Sequence, residues 1–123
     1  MSKSMDKVSN FKILKSDNNL DGLDNLEEIP SENAVYAICG RVNGLPSNCR
    51  YVGETENLRT AIKQHFSDNE PDGCLRQFMQ SIKIKCIDYM LLPNSDRDDR
   101  LKIVSQWRAD YKPDCNEKLN EVF

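Results

Sequence analysis

Residues 34–58 read AVYAICGRVNGLPSNCRYVGETENL, and this stretch decides the fold. Ala34-Val35-Tyr36-Ala37-Ile38-Cys39 is a short apolar run of strand-forming residues, and Cys49-Arg50-Tyr51-Val52-Gly53 is a second. Between them Asn43-Gly44 is a strong turn signal, followed by Pro46 and Ser47. Two strands so joined make an antiparallel hairpin, with the segment Gly40 to Asn48 as its connection. Directly after it, Leu58, Ile62 and Phe66 recur at helical spacing, which predicts a helix capped by Thr55.

Downstream, Ser67 to Gly73 is a loop by its Asp, Asn, Pro and Gly content. Leu75, Phe78, Met79 and Ile82 predict a second, shorter helix over Cys74 to Ile82. Ile84 to Leu92 reads as a third strand ended by Pro93. Ser95 is expected to cap the longest helix, with Asp98 three residues on as a capping-box variant. The apolar stripe of that helix is Leu101, Val104, Trp107 and Tyr111, and Pro113 stops it. Upstream, residues 1–10 are polar, Phe11 to Leu14 is a short strand or a docking segment, and Ser16 to Asn25 is a loop. The order β-β-α-α-β-α predicts a small α+β domain over residues 29–123, behind a polar, partly disordered arm over residues 1–28.

Composition narrows the function classes. The 123-residue chain suits one domain with a modest core. Its longest apolar stretch, Ile82 to Leu92, is broken by Lys83, Lys85 and Asp88, so no transmembrane span or signal peptide is expected. The predicted location is cytoplasmic. Five cysteines lie at 39, 49, 74, 86 and 115 with no CxxC pair, and the only histidine, His65, is far from all of them in sequence. That spacing predicts reduced, structural thiols and no zinc site. Residues 1–32 carry four Lys and seven Asp or Glu, whereas residues 33–123 carry thirteen charges of each sign. A neutral domain lacks the basic footprint of a strong non-specific nucleic-acid binder.

The tripeptides Ala34-Val35-Tyr36 and Tyr51-Val52-Gly53, their tyrosines fifteen residues apart, resemble those that name the GIY-YIG nucleases. Ile29-Pro30 before the first strand, the run Tyr51 to Leu58 leading into a helix with His65, and Lys112-Pro113-Asp114-Cys115-Asn116 extend the resemblance over residues 29–116. It implies a three-stranded antiparallel sheet flanked by helices. It also implies metal-assisted phosphodiester hydrolysis, in which a tyrosine, here Tyr36 or Tyr51, handles the attacking water. A helix arginine would steady the phosphate and a glutamate would hold a divalent ion. The arginine position falls at Ala61 and the glutamate position at Val104, so both charges are missing.

The resemblance therefore implies a catalytically degenerate nuclease-like domain that binds DNA or RNA, by family analogy slightly ahead of another protein, with no cofactor. The vestigial site would be Tyr36, Tyr51 and His65, the last lying one helical turn after Ala61. Arg50, Arg59, Lys63, Lys83 and Lys85 are the candidate phosphate contacts. One alternative is an active nuclease with a relocated site, using Mg²⁺ and a carboxylate such as Glu54. Another is a protein-interaction module indifferent to nucleic acid.

Overall fold

A computed structural model describes residues 11–15, 18–20, 26–42, 45–67, 70–80 and 85–115. The strands are β1 (Phe11–Lys15), β2 (Asn18–Leu20), β3 (Ala34–Val42), β4 (Leu45–Thr55) and β5 (Lys85–Leu91). The helices are α1 (Leu58–Phe66), α2 (Gly73–Met79) and α3 (Arg97–Tyr111), and a single 3-10 turn covers Leu26–Glu28. The protein is α+β, with β5, β3 and β4 forming a three-stranded antiparallel sheet flanked by helices, as expected. The sheet also continues past β5: β1 pairs with it in parallel, and β2 pairs antiparallel with β1. Residues 11–20 thus add two strands from the segment read as an arm. No helix among the described residues is long and apolar enough to cross a membrane.

β3 is the central strand, and Ala34 to Cys39 are all buried. A strand covered on both faces reads as an unbroken apolar run rather than an alternation. Its even positions, Ala34, Tyr36 and Ile38, join Ile87 and Tyr89 of β5 beneath Leu58 and Ile62 of α1 and Leu75, Phe78 and Met79 of α2. Its odd positions, Val35, Ala37 and Cys39, join Val52, Cys86 and Val104 on the other face, under α3. The sheet therefore separates two cores, and what a residue can reach depends on its parity.

Both strands of the hairpin run further than their apolar cores. The register shifts between Ile38 and Gly40, and pairing then resumes from Gly40–Ser47 to Val42–Leu45. The bulge lets the strands pair through a segment that composition marks as loop. Thr55 does not cap α1: it closes β4, and Asn57 is the cap, accepting from Thr60 N–H. Likewise Asp96, not Ser95, caps α3, in a reciprocal box with Asp99. Leu101 is 37% exposed and lies off the buried stripe.

Arg100 occupies the buried face of α3 instead, at 2% exposure. Its Nε donates to Glu54 Oε1 at 2.7 Å, and one terminal nitrogen donates to the Ser95 carbonyl at 2.8 Å and to Ser95 Oγ at 3.0 Å. Arg97 reaches the other Glu54 oxygen at 3.2 Å. These arginines clamp α3 to β4 rather than pairing along the helix surface with Asp96, Asp98 and Asp99.

The cysteines also depart from expectation. Cys39–Cys49 and Cys74–Cys115 are disulfides, and Cys86 is a buried free thiol. Cys39 and Cys49 meet across the β3–β4 pair beside the bulge; Cys74 and Cys115 meet although 41 residues apart. Sequence spacing does not encode either approach.

Replacing Arg100 by leucine leaves the Glu54 carboxylate, 17% exposed, without its nearest cation. Such loss of one partner costs about 3 kcal/mol at this partial exposure, read as a lowered urea midpoint. Glu54→Gln with Arg100→Leu should cost less than Arg100→Leu alone.

Candidate functional site

Tyr36, Tyr51 and His65 come together on the α1–α2 face of the sheet. Tyr36 pairs in register with Gly53, and Ile38 with Tyr51, so the two tyrosines stand on neighbouring strands with ring centroids 6.0 Å apart. The Tyr51 and His65 rings are 5.2 Å apart. Gly53 makes this possible. A Cβ there would lie 2.7 Å from Tyr51 Cε2, 3.1 Å from Tyr51 Oη and 3.2 Å from Tyr36 Oη. Gly53 is thus the gap into which both rings lean; close approach, rather than an unusual turn, requires the glycine.

A fourth residue completes the cluster. The Tyr36 hydroxyl lies 2.7 Å from His65 Nε2, and His65 Nδ1 lies 2.7 Å from Glu70 Oε1. With Nδ1–H donated to the carboxylate, Nε2 accepts the tyrosine O–H. Glu70 Oε2 accepts from Asp72 N–H at 3.0 Å, and Arg76 donates to the Glu70 carbonyl at 3.0 Å. A hydrogen-bonded chain therefore runs from Tyr36 through His65 to buried Glu70, with the half-buried Tyr51 ring packed beside the first two.

Sequence reasoning missed Glu70, because it sits in a loop whose Asp, Asn and Pro content reads as a connector. The available signal was an acid five residues after a lone histidine at a helix end.

Burial is the main influence on each proton in the chain. It pushes the Tyr36 phenol well above its ordinary value, and it raises Tyr51 as well. It lowers His65 from 6.5, against the opposing pull of Glu70. Neither tyrosine is a phenolate at neutral pH, and His65 is neutral there. The charged side chains that act on these three groups are Glu70, Asp72 and Glu54, all carboxylates. This electrostatic setting opposes a phosphate and suits a cation.

The positions that the resemblance makes catalytic are apolar in their contacts. Ala61 packs against the core beneath α1. Val104 is buried in the cluster on the opposite face of the sheet from Tyr36. Glu54, the carboxylate considered for a relocated site, is also tied up by Arg97 and Arg100.

The basic residues do not form one strip. Arg50 bonds Asp114 at 2.9 Å and stacks over Phe78 at 5.0 Å. Lys85 is 2% exposed and lies over the same ring. Arg59 and Lys63 turn instead to Glu27, and Arg59 Nε donates to the Ile29 carbonyl at 2.7 Å. Lys83 lies outside the described residues. No protein-family profile matches the chain, and no curated protein is similar to it.

Gly53→Ala should destabilise the fold by about 1–3 kcal/mol through overpacking, and Tyr51→Ala in the same chain should recover part of the loss in urea titration. The single histidine allows a clean NMR titration. His65 should titrate below 6.5, and lower still in Glu70→Gln, because the carboxylate favours the charged ring. Since the folded value lies below the unfolded one, the chain binds protons more weakly when folded. Stability should therefore be lost as pH falls below about 6.5, a dependence weakened in His65→Gln; stability that rises on acidification across that window would contradict the assignment.

Proposed function

We propose that this chain is a catalytically silent, GIY-YIG-like domain that acts by binding, with a protein ahead of a nucleic acid as its partner. The observation that carries this reading is the charge environment of the Tyr36–His65–Glu70 cluster. Hydrolysis of a phosphodiester concentrates negative charge in the transition state and needs a fixed cation facing it. Here the charges acting on the cluster are carboxylates, and the positions matched to arginine and glutamate are the core residues Ala61 and Val104. Restoring both charges would not restore a site, because position 104 opens onto the other side of the sheet.

The preference for a protein partner rests on the basic residues. Arg50, Arg59 and Lys63 are engaged by Asp114 and Glu27, and Lys85 is buried. A phosphate contact by the first three would have to break an existing ion pair. Cytoplasmic placement belongs to the same proposal and requires that both cystines be reduced there. Alkylation of acid-quenched cells under denaturing conditions should then find Cys39, Cys49, Cys74 and Cys115 as free thiols.

Purified protein with Mg²⁺ or Mn²⁺ should leave duplex, single-stranded and branched DNA and RNA uncut. Turnover abolished in both Tyr51→Phe and His65→Ala would overturn the proposal and favour a relocated nuclease.

A further inference from the structure

The fold assembles a ligand set that the cysteine spacing hides. A carboxylate oxygen of Asp72 and the Sγ atoms of Cys74 and Cys115 all lie within 4.8 Å of one another. Asp72 Oδ1 is committed to capping α2, accepting from Cys74 N–H at 2.9 Å and Leu75 N–H at 3.3 Å. Asp72 Oδ2 is buried and has no hydrogen-bond partner among the described residues. A buried carboxylate oxygen without a donor is costly unless something else binds it. The two sulfurs lie within 4.8 Å of one oxygen of this same carboxylate. Cys115 is buried and Cys74 half-buried, so the cluster is sheltered yet open on one side.

We propose that Asp72, Cys74 and Cys115, with the cystine reduced, form a binding site for a thiophilic divalent cation of the zinc class. Reduction uses a dithiol. It delivers two electrons and two protons to the Cys74–Cys115 bond, leaving two thiols here and a disulfide in the donor. The cation then displaces both thiol protons to solvent and takes two metal–sulfur bonds and one bond to an Asp72 oxygen. Thiolate ligands select zinc-like ions over Mg²⁺ or Ca²⁺. A tetrahedral ion with bonds of about 2.3 Å holds two sulfurs about 3.8 Å apart. The Cα separation of 5.6 Å accommodates that spread through side-chain rotation alone. Water completes the fourth position, because both His65 nitrogens are already engaged.

The consequence is a staple that survives a change of redox state. Oxidised, a covalent bond joins the start of α2 to the turn after Pro113; reduced, the metal makes the same connection. The site also abuts the buried cluster, since Asp72 N–H is the donor to Glu70 Oε2. A bound cation would offset the negative charge that Glu70 and Asp72 place near His65.

The test uses the full chain, reduced with a phosphine under argon and titrated with Co²⁺. One equivalent should produce tetrahedral d–d bands with a thiolate-to-cobalt charge-transfer band, and Zn²⁺ should bleach both. Asp72→Asn retains a capping side chain and should weaken Co²⁺ binding at least tenfold, whereas Cys74→Ser, which leaves only the Cys115 thiolate, should cut the charge-transfer intensity to half or less. Should Cys74→Ser fail to fold, alkylation of the native reduced chain followed by peptide mapping replaces it. Zn²⁺ should then slow labelling of the half-buried Cys74. Absence of tetrahedral bands, bands unchanged in Asp72→Asn, or Cys74 labelled equally fast with and without Zn²⁺ would overturn the proposal.

Discussion

The hydrogen bond between the Tyr36 hydroxyl and His65 Nε2 ties the central strand to α1 inside the core. Tyr36 is on the central strand and His65 is on the last turn of α1. Through His65 Nδ1 the same ring holds Glu70, and Glu70 in turn receives Asp72 N–H and orients the loop into α2. Strand, helix, loop and second helix thus share one buried chain of donors and acceptors. Buried polar groups must be paired or they destabilise, so these four elements are fixed relative to one another or all are strained. Gly53 supplies the space in which this happens, since a Cβ there would collide with the Tyr51 ring and crowd the Tyr36 hydroxyl.

The division of the sheet into two faces decides which side chains can reach the cluster. Tyr36, Tyr51 and Gly53 point toward α1 and α2; Val35, Val52 and Glu54 point toward α3. The Arg100–Glu54 pair consumes the nearest strand carboxylate in holding α3 against β4. What is left near the tyrosines is acidic. A buried tyrosine held well above its usual titration and a histidine held below its own form a satisfied polar core. The same hydrogen bonds occupy both ring nitrogens of His65.

Much of the sheet was legible because strand patterns are local. The run at Ala34 to Cys39 marks a strand, and the apolar spacing after Leu58 marks a helix; that the strand is covered on both faces is seen only in the structure. Tyr36 and Tyr51 are grouped by the resemblance to the family's two tripeptides, and His65 joins them by its place one helical turn after Ala61. The rest depends on contacts that one sequence does not carry. Thr55 and Asn57, or Ser95 and Asp96, are interchangeable as capping residues by type, so packing alone selects between them. Arg100 hides among aspartates that suggest a surface, and its burial follows only from the docking of α3. Glu70 lies in a loop defined by its neighbours. The cystines join residues whose proximity is a product of the fold, and residues 11–20 reach the sheet only because β5 leaves an edge for β1.

Fluorescence anisotropy of labelled duplex DNA, single-stranded DNA and RNA, across a salt series, addresses the central claim most directly. If the cleft repels phosphate and the surface cations are held in ion pairs, no saturable binding should develop even at low salt. Tight binding that falls steeply as salt rises would mean that several phosphates are neutralised. That result, with a shallower slope in Arg50→Ala or Lys63→Ala, would contradict the account and return this domain to nucleic-acid recognition.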